Sequence, residues 1–149
     1  MDTKADTKRI LIVDDDPDVR LGLHVRLAAN GYETSFAGDA LTAIAEARKR
    51  EPDLIILDLG LPAGDGFVVM ERLGRVPALA VIPIIVVSAR DVRANQERAV
   101  KAGAKAFLQK PVDNAELLAV IRRALGEPAD ETSEPHTGTW PIVDATPQP

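Results

Sequence analysis

The sequence predicts an α/β protein: a parallel sheet of five strands, doubly wound, with helices on both faces. Three observations lead there. Short apolar runs at 10–13, 54–57 and 84–87 are rich in Ile and Val and lack polar alternation, as strands covered on both faces do. Segments of helical period lie between them, each opened by a capping residue. A chain of 149 residues holds one domain with a single core.

The first strand, 10–13, runs into Asp14, Asp15 and Asp16. Asp16 followed by Pro17 opens a helix that turns Val19, Leu23 and Leu27 inward and stops at Asn30-Gly31, where glycine accepts a left-handed backbone. A weaker strand fits 33–37, and Asp39 starts a second helix through Arg50. The third strand, 54–57, leads to a helix from about Gly66 to Leu73. The fourth, 84–87, precedes a helix opened by Asp91 and running to Lys101, before Ala102-Gly103. The fifth, 104–108, leads to a helix with Asp113 as cap and Glu116 three residues on, a capping box, ending at Leu125 before Gly126. Strict alternation of five strands with five helices in so short a chain implies parallel strands joined by crossovers.

The pattern covers residues 8–126, with 1–7 expected as a flexible N-terminus. Residues 127–149 hold five of the 11 prolines and show no helical period, so an acidic, proline-rich, disordered tail is expected there, with the lone Trp140 in it. Of the 23 acids, that tail carries five and no Lys or Arg, leaving 18 acids against 18 bases before it. With no basic excess and five aromatic residues in all, direct nucleic acid binding is not expected. The absence of cysteine removes disulfides and thiolate chemistry. No signal peptide or apolar run near 18 residues is present, so the expectation is a cytoplasmic protein without membrane insertion.

In an open sheet of this kind, ligands bind beyond the carboxyl ends of the strands. Strand one ends at Asp14 and Asp15, strand three at Asp58, strand four at Ser88, strand five at Lys110 followed by Pro111. Taken singly, Asp16 is a helix cap, Asp58 a loop acid, Ser88 a strand-end hydroxyl and Lys110 a surface amine. Sharing one edge of a sheet, they become a candidate site. Three carboxylates with one ammonium suit a hard divalent cation, and oxygen donors with room for water favour Mg2+. Asp58 is then placed to attack phosphorus, with Mg2+ and Lys110 balancing the charge that develops.

The segments "VDDD", "LDLGLPAGDG", "VVSA" and "AFLQKP", in this order and on these strands, resemble the receiver domain of bacterial two-component response regulators, from about Lys8 to Gly126. That resemblance implies a flavodoxin-like strand order, 2-1-3-4-5. It also implies Asp58 as phosphoacceptor, Asp15 as a direct Mg2+ ligand with Asp14 acting through water, and the Gly60 carbonyl completing the protein's share. Ser88 matches the switch hydroxyl, Phe107 the switch aromatic and Lys110 the phosphate-binding lysine, with Pro111 after a cis peptide bond. The implied activity is phosphoryl transfer from a sensor histidine kinase or phosphotransfer protein to Asp58, then slow self-catalysed hydrolysis. Ser88 and Phe107 would pass the change to the fourth helix, fifth strand and fifth helix, where a downstream protein target docks.

Gly60 and Arg90 stand two residues past the expected acceptor and switch hydroxyl, positions that in the resembled family help set the lifetime of the phosphoryl group. Lys105, Ala106 and Val120 stand where one branch of the family carries two acids and an arginine for dimerisation; a monomer or a weak phosphorylation-dependent dimer is expected. Partner choice is expected mainly on helix one, whose exposed face is expected to include Arg20, His24 and Arg26, and on the loop after strand five. The alternatives are a phosphorylation-independent adaptor of the same fold and a haloacid-dehalogenase-like phosphohydrolase, which wants an acid where Gly60 stands. A nucleotide-binding module is weaker, because acids occupy the place of a glycine-rich loop.

Overall fold

The computed structural model describes residues 7–62 and 65–128. The expectations for residues 1–6 and 129–149, Trp140 included, fall outside the described residues. Strands β1 (Arg9–Val13), β2 (Glu33–Ala37), β3 (Leu54–Leu57), β4 (Ile84–Ser88) and β5 (Ala104–Gln109) form one sheet. All four pairings are parallel, in the order β2-β1-β3-β4-β5. The inner strands are apolar on both faces because both are covered: every residue of β3 and β4 is buried.

The helices are α1 (Pro17–Ala29), α2 (Ala40–Arg50), α3 (Gly66–Gly74), α4 (Pro77–Ala80), α5 (Val92–Lys101) and α6 (Asn114–Leu125). Aspartate side chains cap all but α4: Asp16, Asp39, Asp65, Asp91 and Asp113 accept backbone N–H groups of Asp18, Thr42, Phe67, Ala94 and Glu116. Each such cap contributes about 1 kcal/mol.

Among the described residues six helices therefore stand where periodicity predicts five. The extra one, α4, is a single turn with Val76 as an uncapped N-cap and Pro77 at its start. It is too short to show a period. It buries Leu79 and leaves Val81 exposed. The end of α2 also carries no sequence marker, because Glu51, not a glycine, takes the left-handed backbone at φ 50°.

One hydrogen bond closes the domain at its other pole. The Tyr32 hydroxyl, between α1 and β2, donates to Glu127 Oε1 at 2.7 Å, just past α6. Burial, reinforced by the Glu127 carboxylate, pushes the Tyr32 pKa up to about 12. Its ordinary value is 10.0, so the folded state favours the neutral phenol. The stability it contributes is intact below pH 10 and is lost as pH rises toward 12. Tyr32 is the only tyrosine, so its ionisation reads out directly in the ultraviolet. The expected titration midpoint in the folded protein is near 12, and Glu127→Gln should bring it down. A native midpoint at 10 would contradict the contact.

Candidate functional site

Register brings the site together. β1 and β3 are neighbours with Val13 opposite Leu57, so Asp14 and Asp58 leave the sheet side by side. The ladder continues one residue past each strand: Asp14 N–H donates to Ala37 O, Asp58 N–H to Val13 O, and Lys110 N–H to Ser88 O. Asp14, Asp58 and Lys110 are thus held by sheet hydrogen bonds.

Carboxylate oxygens of Asp14, Asp15 and Asp58 all lie within 4.8 Å of one another. Asp14 and Asp58 are buried, and Asp15 is exposed at the mouth. At that spacing each pair of charges repels by roughly 3 kcal/mol at an effective dielectric of about 20. Lys110 offsets part of this. Its Nζ is 2.8 Å from Asp14 Oδ2 and 3.8 Å from Asp58 Oδ2. The net charge of three carboxylates and one ammonium is still −2. An all-oxygen donor set with excess negative charge and one open side fits Mg2+.

The remaining residues named from the sequence lie on β4 and β5 and on the segments that follow β3 and β5. Ser88 is 1% exposed at the end of β4, and its Oγ accepts the Arg90 N–H at 3.3 Å. Phe107 is buried on β5, two residues before Gln109, the partner of Ser88 in register. The Lys110–Pro111 bond is cis. Gly60 is exposed, and a side chain there would begin 3.8 Å from Asp58 Oδ2.

Gly66 has less room. A Cβ at this position would lie 2.6 Å from the Asp58 carbonyl oxygen and 2.9 Å from Leu59 Cα. Both are backbone atoms and cannot yield by a rotamer change. Gly66→Ala is expected to destabilise the domain by about 2 kcal/mol, as overpacking does. Chemical denaturation checks this; an unchanged midpoint would show that α3 can slide away from β3.

Three contacts around the site had no signal in the sequence. Arg20, expected on an exposed helix face, turns back so that its Nη1 donates to Asp14 O at 2.8 Å, fixing the backbone beneath the carboxylates. Arg90 pairs with Asp65 at 3.4 Å. The Arg98 guanidinium carbon lies 3.9 Å from the centre of the Phe67 ring. His24 is also turned sideways, with Nδ1 2.6 Å from Thr34 Oγ1 and its ring edge-on to Phe36. The exposed face of α1 is instead apolar, with Leu21 and Val25 more than half exposed.

Residues 10–122 match the family model of the response regulator receiver domain. Among curated proteins, the chain is 42% identical over 115 residues to response regulator PleD of Caulobacter vibrioides, covering 76% of this chain and 25% of that one. It is 36% identical over 137 residues to transcriptional regulatory protein PrrA of Mycobacterium tuberculosis, covering 90% of this chain and 58% of that one. It thus spans between a quarter and somewhat over half of these two relatives. A response regulator from Chloroflexus aurantiacus superposes with a TM-score of 0.76 at 32% identity, over 81% of this chain and 99% of that one. The receiver domain of the sensor histidine kinase PA1611 of Pseudomonas aeruginosa, solved with a magnesium ion coordinated in its active site cleft, gives 0.74 at 27% identity over 81% and 99%. Among the described residues no helix is long and apolar enough to cross a membrane. Sequence, sheet order and acidic edge agree, and the chain belongs to the response regulator receiver domain family of two-component systems.

Proposed function

We propose that this receiver takes a phosphoryl group on Asp58, with Mg2+ held by Asp14, Asp15, Asp58 and the Gly60 carbonyl. The observation that carries the reading is the cluster itself: three carboxylates within 4.8 Å, two of them buried, with a single ammonium against them. The donor is the phosphohistidine of a sensor histidine kinase or phosphotransfer protein in the cytoplasm. An Asp58 carboxylate oxygen attacks phosphorus as the bond to the histidine nitrogen breaks. Mg2+, when bound, neutralises charge on the phosphoryl oxygens.

Lys110 is the residue placed to follow that charge. At rest it lies closer to Asp14 than to Asp58, and a phosphoryl group on Asp58 draws it across. Ser88 leaves the Arg90 N–H and donates its hydroxyl to a phosphoryl oxygen. Buried Phe107 repacks into the space released, and the face formed by α5, β5 and α6 changes for a downstream protein target. Water attack on phosphorus later restores Asp58 and releases inorganic phosphate. Leu21 and Val25 give the donor an apolar place to dock on α1.

Intact mass after incubation with acetyl phosphate tests the reading. One phosphoryl adduct is expected with Mg2+ and none with a chelator. The adaptor alternative forecasts no adduct under either condition.

A further inference from the structure

Two ties join α3 to the segment after β4. Arg90 Nη1 lies 3.4 Å from Asp65 Oδ2, and the Arg98 guanidinium sits over the Phe67 ring at 3.9 Å. The α3 ends of both ties are fixed. Asp65 Oδ1 accepts the Phe67 N–H as the cap of α3, and Phe67 is 6% exposed. Gly66, between them, is pressed against the carbonyl of Asp58. The other ends sit on the part that has to move. Arg90 is on the loop whose N–H holds Ser88 Oγ, and Arg98 is within α5. A continuous path therefore runs from the Asp58 backbone through Gly66 and Phe67 to Arg98, apart from the path through Ser88 and Phe107.

We propose that the Asp65–Arg90 and Phe67–Arg98 contacts brace the unphosphorylated form, locking α5 to α3, so that phosphorylation proceeds against them. The inference rests on Asp58 being the phosphoacceptor. Drawing Ser88 toward a phosphoryl group moves the loop that carries Arg90, while Asp65 stays in place as a helix cap. The pair cannot satisfy both. Any contact that favours the resting form lowers affinity for a phosphoryl group by the same factor. Loss of the ring contact should therefore tighten binding of a phosphoryl mimic by about threefold, and loss of the part-exposed ion pair by about twofold.

The experiment is calorimetric titration of the full chain with beryllofluoride in the presence of Mg2+. Phe67→Leu and Arg98→Gln remove the ring and the charge with little change of bulk, and Asp65→Asn keeps the helix cap. Each single variant should bind more tightly than wild type. Phe67→Leu combined with Arg98→Gln should gain nothing over either alone, whereas Phe67→Leu with Asp65→Asn should multiply the two effects. A tightening separates a brace from general damage to packing, which weakens binding. Unchanged or weaker affinity in Arg98→Gln and Asp65→Asn would overturn the proposal while leaving Asp58 as acceptor. If wild type bound no beryllofluoride, or Asp58→Asn bound it equally well, the reading of Asp58 and the brace would both fall.

Discussion

Asp58→Asn is expected to remove the phosphoryl adduct completely and, without metal, to raise the melting temperature. The first effect follows from chemistry, because an amide oxygen does not attack phosphorus as a carboxylate does. The second follows from charge. Asp58 is 7% exposed and shares its site with two other carboxylates. Asparagine has nearly the same shape and no charge, so the repulsion of Asp58 with Asp14 and Asp15 disappears and that between Asp14 and Asp15 stays, while Lys110 keeps its shorter contact to Asp14 at 2.8 Å. The weaker contact to Asp58, at 3.8 Å, is lost, and the balance is a gain of about 1 kcal/mol. In a domain of this size that is a rise of about 4 °C. Saturating Mg2+ should narrow the gap, because wild type gains more from the cation than the variant does. Intact mass and scanning calorimetry, each with Mg2+ and with a chelator, read both effects. A persisting adduct would move the nucleophile to another side chain. A less stable variant without metal would mean that the Lys110–Asp58 contact outweighs the repulsion.

That a substitution at the site should stabilise the fold explains why the site was readable from sequence. Asp14, Asp15 and Asp58 are charges that strand pairing drives together, and a chain built only to fold would not place them at the ends of adjacent apolar runs. The strands were legible because a covered parallel sheet suppresses alternation, as in β3 and β4, where all residues are buried. The helix starts were legible because an aspartate cap is a local event within three residues. The order β2-β1-β3-β4-β5 was not; it came from resemblance, since nothing local specifies which parallel strands are neighbours.

What remained hidden has a common cause. Arg20 on Asp14, Asp65 with Arg90 and Phe67 with Arg98 are long side chains meeting partners that no period relates to them. Helical spacing says which way a Cβ points, and an arginine reaches several ångströms farther. This is why Arg20 and His24 turned from the exposed face of α1 and left Leu21 and Val25 there. The single turn of α4 and the left-handed Glu51 carried no propensity signal either: burial of Leu79 holds the first, and the Glu51 N–H closing on Ala47 O ends α2 at the second.

Lys110→Met should have the opposite sign to Asp58→Asn in stability and the same sign in chemistry. Methionine retains the apolar length of the lysine stem but removes the only ammonium within 4 Å of Asp14 and Asp58 among the described residues. The Asp14 side chain is 4% exposed, so its charge has little water to turn to. It keeps the Asp16 N–H on Oδ1, which is one hydrogen bond for a group that used two. Breaking a buried pair from one side costs on the order of 3 kcal/mol, and here the repulsion among three carboxylates is also left without its counter-charge. The metal-free variant is therefore expected to melt about 10 °C below wild type and to recover part of that deficit in Mg2+. The cation restores charge balance but not the transferable ammonium, so the rate of adduct formation with acetyl phosphate should stay at least about 100-fold below wild type even in saturating Mg2+. A variant that is destabilised yet labelled at the wild-type rate would make Lys110 a structural counter-ion of Asp14 alone. One that is as stable as wild type without metal would show that solvent already reaches Asp14, and that the burial of the cluster is not what gives Lys110 its place.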